Sequence, residues 1–305
     1  MYAITGISGK VGGTLARTLL ARGQRVRAVL RDPSKSEEWA ALGCEVAVAR
    51  MEDAAALTAA FTGVTAAFVL PPPLFDPAPG YPEIRQVVDA VAEALRRARP
   101  NRAVCVSTIG AQAIQDSLLT QLSMVETGLS TLPMRVTFLR PGWYLENASW
   151  DLPTASESGV IQSFLVPLDR PIPMVSTRDV GRIAAQLIQE EKPDRAIVEL
   201  EGPRRVSPND LAAAFARALR SPVRAQAVPR NTWEALFRSQ GMKNPIPRMR
   251  MLDGFNGGWI DFAGPAVNTI KGCIDVDEVI GALVVNGART GADANVETPA
   301  VEFMC

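Results

Sequence analysis

The chain has 305 residues, and 47% of them are hydrophobic, which is enough for the core of one large domain or of two lobes that share a sheet. Its 32 Lys and Arg residues balance its 32 Asp and Glu residues, so charge gives no reason to expect nucleic acid or an acidic membrane surface as a partner. The complete absence of histidine excludes His-ligated zinc sites, Ser-His-Asp hydrolysis and Cys-His proteolysis.

The first twelve residues predict a strand, a glycine turn and a helix in direct succession. Tyr2–Thr5 is a short apolar strand, and the spacing of Val11, Leu15 and Leu19 gives the following helix an apolar face. This pattern is typical of the phosphate-binding turn of a dinucleotide fold, where N–H groups at the helix start attract a pyrophosphate. An ordinary glycine-rich turn is the alternative. The residues predicted to contact the cofactor here are Gly6, Ile7, Ser8, Gly9, Lys10 and Val11.

The second predicted strand, Arg25–Leu30, ends in Arg31 and Asp32, at the position that faces the adenosine ribose in such folds. An acid at this position hydrogen-bonds the ribose hydroxyls, whereas an arginine binds the 2′-phosphate that distinguishes NADP from NAD. Arg31 therefore favours NADPH over NADH, although Asp32 lies close enough in sequence to contact the ribose. A solvated loop arginine is the alternative interpretation of Arg31.

Strands and helices continue to alternate as far as residue 140, which predicts an α/β fold with a doubly wound parallel sheet, the Rossmann arrangement. Ligands bind at the carboxyl ends of the strands in such sheets. We therefore expect Leu70 and Pro71, where the fourth strand ends, and Ser107, after the fifth, to lie beside the nicotinamide end of the cofactor. A stiff connection is the alternative interpretation of the prolines that begin at Pro71. The remaining strands are predicted at Glu45–Ala49, Ala66–Leu70, Ala103–Val106 and Arg135–Leu139, and helices at Pro82–Arg99 and about Gln115–Leu129.

The alternation weakens after residue 142. Residues 1–142 are predicted to form a dinucleotide-binding domain, residues 143–285 a smaller α+β substrate lobe interleaved with the sheet, and residues 286–305 a flexible tail. The elements predicted in the lobe are strands at Ile197–Leu200 and Val223–Val228 and helices at Arg178–Gln189, Ser207–Arg220 and Asn231–Gln240.

Cysteine usage and hydropathy indicate the expected surroundings of the protein. The four cysteines are scattered and form no paired-ligand motif, so we expect reduced thiols and no metal site. No apolar run is long enough to span a bilayer, and no secretory peptide fits before the first strand. A cytoplasmic monomer or homodimer, free of membrane and nucleic acid, is the resulting expectation.

Several stretches together resemble one family. They are Thr5–Gly12, Val29–Pro33, Val106–Ala111, Leu139–Asn147, Val175–Ala184, Glu201–Pro203 and Gly254–Ile260. In combination they are similar to the NmrA-like group of atypical short-chain dehydrogenases, and most of all to its NAD(P)H azoreductase and quinone oxidoreductase branch. The resemblance implies a nicotinamide cofactor, a small hydrophobic electron acceptor, and cofactor contacts from Pro141, Gly142 and Trp143. Two features depart from the family: the third strand is followed by Ala49–Asp53 without the usual Gly-Asp, and the helix after the fifth strand lacks a basic residue.

The proton donor is not evident from the sequence. Ordinary short-chain dehydrogenases use a Tyr with a Lys four residues later, but here Gly6, Arg85 and Ala148 follow the three tyrosines at that spacing. Tyr144, after the sixth strand, is the first candidate for the substrate pocket, and a tyrosine packed between the lobes is the alternative. Ser107 is a candidate donor to nicotinamide or substrate, and a strand-end serine bonded to backbone is the alternative. Two functions remain open: an NADPH-dependent reductase of a small aromatic acceptor, such as a quinone or azo compound, and a non-catalytic sensor of NADP redox state.

Overall fold

The computed structural model describes residues 1–190, 196–264 and 269–293, with side chains described as far as residue 287. The strands are β1 (Tyr2–Thr5), β2 (Val26–Leu30), β3 (Glu45–Val48), β4 (Ala66–Val69), β5 (Arg102–Val106), β6 (Arg135–Pro141), β7 (Trp143–Tyr144), β8 (Val160–Ser163), β9 (Met174–Val175), β10 (Ile197–Glu201), β11 (Arg224–Ala227) and β12 (Thr269–Lys271). The helices are α1 (Lys10–Ala21), α2 (Ser36–Ala41), α3 (Ala54–Phe61), α4 (Pro82–Ala98), α5 (Thr120–Ser130), α6 (Leu152–Ser158), α7 (Thr177–Leu187), α8 (Pro208–Leu219), α9 (Trp233–Ser239), α10 (Ile246–Gly257) and α11 (Val276–Asp293).

The central sheet has eight strands in the order β12-β10-β6-β5-β4-β1-β2-β3, and each neighbouring pair runs parallel. The chain moves outward in one direction from β1 to β3 and then returns to pair β4 with the other side of β1. Between β1 and β4 the strand order reverses, and a crevice opens there at the carboxyl ends of the strands. The predicted doubly wound Rossmann sheet is confirmed.

Two apolar layers cover the faces of this sheet. On one face α1 packs against α7, and Leu15, Leu19 and Val180 are completely buried between these helices and the strands. On the other face α3, α4 and α5 contribute buried side chains such as Phe61 and Leu95. Strands that are buried on both faces read as continuous apolar runs, which is why β1 and β4 are recognisable in the sequence.

A third apolar cluster lies in the part of the chain after residue 142. Its centre consists of Phe215, Trp233, Phe237 and Phe255, contributed by α8, α9 and α10. The short sheets β8-β11 and β7-β9 lie beside it. Helix α8 begins with a complete capping box, because the hydroxyl of Ser207 accepts from the N–H of Asp210 while the Asp210 carboxylate accepts from the N–H of Ser207.

The structure differs from the sequence-based prediction at α5 and at several elements of this second part. Helix α5 begins at Thr120 rather than near Gln115, and the hydroxyl of Thr120 accepts from the N–H of Ser117 in the preceding segment. Strand β8 and helix α10 were not predicted. Helix α11 extends past residue 286, where the sequence predicted a flexible tail, as far as Asp293, and its first turns pack into the third cluster. The rest of the predicted tail, residues 294–305, lies outside the described residues.

Candidate functional site

The turn between β1 and α1 has the geometry of a phosphate cradle. The backbone N–H of Gly9 donates to the carbonyl of Gly6 at 3.0 Å, and Gly6 has a φ of +62°, which is in the left-handed region. A Cβ atom on Gly12 would lie 2.3 Å from the Gly6 oxygen, so only glycine allows α1 to approach β1 this closely. Helix α1 begins at Lys10 without a side-chain cap, which leaves its first N–H groups for an anion.

The side chains of the cradle divide into two sets. Ile7 and Val11 are buried in the core and offer the cofactor little more than their backbone, whereas Ser8 and Lys10 are exposed. The end of β1 is fixed to the end of β4, because the Thr5 hydroxyl donates to the carbonyl of Phe68 at 3.2 Å and accepts from the N–H of Leu70 at 2.8 Å. The strand ends on either side of the crevice are therefore held in register.

The acid that follows β2 is engaged within its own turn. The carboxylate of Asp32 accepts from the backbone N–H of Ser34 at 2.9 Å and from its hydroxyl at 2.7 Å. The hydrogen bond from the Ser34 backbone is the main cause of a lowered pKa of Asp32. Arg31 is exposed, and within the described ranges it has no hydrogen bond or ion pair. The exposed Arg31 guanidinium therefore lies next in sequence to an Asp32 carboxylate whose hydrogen bonds are made within its own turn.

A cavity of about 1180 Å³ starts at the cradle and extends over the carboxyl ends of β4, β5 and β6 into the second part of the chain. The walls are largely apolar. Four of the predicted site residues, Gly6, Ile7, Ser8 and Arg31, do not line it. The predicted residues that do line it are Gly9, Lys10, Val11, Leu70, Pro71, Ser107, Pro141, Gly142, Trp143 and Tyr144.

Ser107 belongs to a buried polar network at the end of β5. Its hydroxyl donates to the carboxylate of Glu126 on α5, which also accepts two N–H groups of Arg140, at 2.8 and 2.6 Å. Arg140 reaches Gln112 at 3.0 Å and lies 3.8 Å from the completely buried Glu199, whose pKa is raised chiefly by burial. With its proton directed at Glu126, the Ser107 oxygen is available to other ligands as an acceptor, and the role of Ser107 as a donor to nicotinamide or substrate stays a prediction.

The segment after β6 carries Trp143 and Tyr144 along the cavity. A Cβ on Gly142 would lie 2.6 Å from the carbonyl oxygen of Pro173, so this position has no room for a side chain. Trp143 packs edge-to-face on Phe255, with ring centroids 5.3 Å apart, and Tyr144 is partly buried against the core. The segment is anchored by Glu146, whose carboxylate accepts from the N–H of Thr177 at the start of α7.

Two charged residues of the cavity wall were missed in the sequence. Asp151 is the last residue of the 3-10 turn Leu145–Asp151, and burial raises the pKa of its carboxyl to about 7. Arg248, on α10, lies over the ring of Phe237 at 4.5 Å, and burial lowers the pKa of its guanidinium. No local pattern marks either residue, because their burial depends on segments that are remote in sequence.

In ranges 1–190, 196–264 and 269–293, no group of three or more Cys, Asp or Glu side chains could hold a metal ion. Over the same ranges, none of the helices combines the length and the apolar character required to span a bilayer.

Comparison with known proteins identifies the group to which this geometry belongs. The model of the NmrA-like family matches residues 2–263. The chain belongs to the NmrA-like family. The family match covers the cradle, the strand ends and most of the residues that line the cavity.

Relatives and solved structures extend this finding. An NAD(P)H azoreductase of Xenophilus azovorans is 24% identical over 253 residues, 81% of this chain and 83% of that protein. Quinone oxidoreductase 2 of Escherichia coli is 26% identical over 257 residues, 82% and 85% of the two chains. Among NmrA-like folds, a structure of NmrA, a negative transcriptional regulator in complex with NAD, has a TM-score of 0.71 at 18% identity, covering 95% of this chain and 97% of that one.

Proposed function

We propose that this protein is an NADPH-dependent reductase that transfers hydride to a small aromatic acceptor, a quinone or an azo compound. The observation that carries the proposal is the continuity of one cavity from the phosphate cradle at Gly9 and Lys10 to an aromatic wall formed by Trp143 and Phe255. A cofactor and a flat apolar acceptor require adjoining spaces of these two kinds. The names of the two sequence relatives, an azoreductase and a quinone oxidoreductase, support the same reaction class.

The residues present fit a dinucleotide. The cradle accepts the pyrophosphate through N–H groups at the start of α1, and the prolines after β4 border the same space. When bound, the reduced nicotinamide supplies the hydride. Ser107 at the end of β5 can accept a hydrogen bond from an amide N–H group, because its own proton is directed at Glu126.

NADPH is the preferred cofactor in this proposal. The Asp32 carboxylate accepts hydrogen bonds from Ser34 and not from the ribose hydroxyls in this proposal, while the neighbouring guanidinium of Arg31 is exposed. A guanidinium forms charge-assisted, forked hydrogen bonds with a phosphate, and NADH offers it no such group. Lys35, also exposed at the end of the same turn, adds a second positive charge.

The test is NADPH oxidation, followed by its absorbance, against a panel of quinones and azo dyes. We expect turnover with at least one acceptor, and a matched loss of both turnover and NADPH binding in Gly9→Val, where a side chain would fill the cradle. Binding of NADPH without consumption on any acceptor would contradict the proposal.

A non-catalytic sensor of NADP redox state is the second candidate. It is favoured by one observation, the absence of a Lys four residues after any tyrosine, which removes the usual catalytic pair of short-chain dehydrogenases. A sensor must distinguish the two redox states of its cofactor. Calorimetric titration with NADP⁺ and NADPH would then give clearly different affinities in a protein that shows no turnover.

A further inference from the structure

Reduction of a quinone or an azo bond needs a proton as well as a hydride, and this proton has no assigned source. Hydride addition alone leaves an anion on the acceptor oxygen or nitrogen. The Tyr-Lys pair is absent, and the Ser107 proton is already directed at Glu126. Any acid in contact with the acceptor must line the same cavity that the acceptor occupies.

Asp151 satisfies this requirement by its position. Among the described residues that line the cavity, the charged ones are Lys10 at the cradle, Asp151 and Arg248. Asp151 is therefore the single carboxylic acid in the lining, and within the described ranges its carboxylate has no hydrogen-bonding or ion-pairing partner. Its neighbours Trp150 and Thr154 also line the cavity.

We propose that Asp151 is the catalytic acid that protonates the acceptor during hydride transfer. The proposal rests on the reductase function proposed above and assigns the proton source for the same cavity. In this step the O–H bond of the Asp151 carboxyl breaks, and its proton forms a new O–H or N–H bond on the acceptor. The hydride and its electron pair pass to the acceptor, so NADPH becomes NADP⁺. Asp151 regains a proton from water, and one acceptor, one NADPH and one proton give the dihydro product and NADP⁺.

The electrostatic surroundings of Asp151 keep its proton available near neutral pH. Burial alone raises the pKa of its carboxyl to about 7, and no neighbouring charge contributes to the shift. Other charged groups near its 3-10 turn are on the elements that pack around it, and several are already paired. They are Glu146 on the same turn, bonded to Thr177; Glu157 on α6; Asp277 and Glu278 on α11, paired with Arg217 and Arg178; and Lys10 and Arg248 on the cavity wall.

The test compares kcat as a function of pH for the wild type and Asp151→Asn at saturating NADPH, with 1,4-naphthoquinone as acceptor because it does not titrate. We expect the wild-type kcat to fall about tenfold per pH unit above about pH 7, because the acid form is lost. In Asp151→Asn we expect kcat to be about 10²-fold lower and independent of pH, with an unchanged dissociation constant for NADPH. Asp151→Glu, which keeps an acid, should recover much of kcat and the pH step.

Glu157→Gln is the matched control, because Glu157 is an exposed carboxylate on the adjoining helix α6 and should show the wild-type profile. A readout independent of turnover is the infrared difference spectrum of the protein across neutral pH, in which a protonated carboxyl band should be lost in Asp151→Asn. A flat wild-type profile, or a pH step retained in Asp151→Asn, overturns the assignment of Asp151. Failure of the wild type to oxidise NADPH with any acceptor overturns the reductase proposal itself, and the assignment with it.

Discussion

Replacement of Asp151 by Asn should make the protein more stable at alkaline pH, by an amount that the structure allows to be calculated. The carboxyl has an ordinary pKa of 3.8 and a pKa of about 7 in the folded chain. As pH rises through this interval, the unfolded chain loses the proton while the folded chain keeps it, so the stability of the wild type falls. Each pH unit inside the interval changes the free energy of unfolding by about 1.4 kcal/mol. Below the interval, the free energies of unfolding of the wild type and Asp151→Asn differ by a constant. Above the interval, the wild type has lost the full amount of this stability.

Urea unfolding, followed by tryptophan fluorescence at several pH values, measures this effect. Between about pH 5 and pH 8 the free energy of unfolding of Asp151→Asn should rise relative to the wild type by about 2–3 kcal/mol. The difference between variants isolates Asp151, because every other titrating group is shared. Glu157→Gln, an exposed site on α6, should show no such trend. Parallel stability curves for the wild type and Asp151→Asn would refute the reasoning, since they would mean that Asp151 titrates alike in the folded and unfolded chains.

Three further predictions follow from the cradle and the buried network. Arg31→Ala should weaken NADPH binding by about 1.5–3 kcal/mol and leave NADH binding nearly unchanged in a fluorescence titration, and equal losses would count against a phosphate contact. Gly9→Val should abolish binding of both cofactors while the protein still folds, because its Cβ meets only the Gly6 oxygen, at 3.3 Å; Gly12→Ala, by contrast, should lower the melting temperature clearly, because its Cβ would lie 2.3 Å from that atom. Glu126→Ala should reduce the free energy of unfolding by about 3 kcal/mol, because the buried Arg140 guanidinium loses its carboxylate partner. A reduction below about 1 kcal/mol in urea unfolding would contradict this account.

The sequence predicts the first half of the fold well, because local patterns suffice there. Apolar runs mark β1 to β6 to within two residues, and a single acid before a helix is a sufficient signal for the cap of α3, where Asp53 accepts from the N–H of Ala56 at 2.9 Å. The cradle is equally local, since the strand, turn and helix are contiguous.

The second half depends on contacts that no short window contains. Helix α10 has apolar residues on more than one side, with Leu252 and Phe255 buried and Ile246 exposed, and so lacks the one-sided spacing of a typical surface helix. Glu126 and Arg140 belong to different elements, and their pairing requires α5 to lie beside the end of β6. Asp151 becomes partly buried only when α6, α11 and the cavity wall surround it.

The return of the chain to the central sheet after residue 142 has a consequence for fragments and chimeras of this protein. Strand β10 pairs along β6, β12 pairs along β10, and α7 covers α1. A fragment that ends at Gly142 would lack two strands of the central sheet and the helix that covers α1, so the edge of β6 and the apolar side of α1 would meet solvent, which favours aggregation. A chimera designed to change acceptor preference should therefore exchange the cavity-lining segments between these elements, such as residues 143–172 and 208–257. Joining the first half of one protein to the second half of another would disrupt the shared sheet.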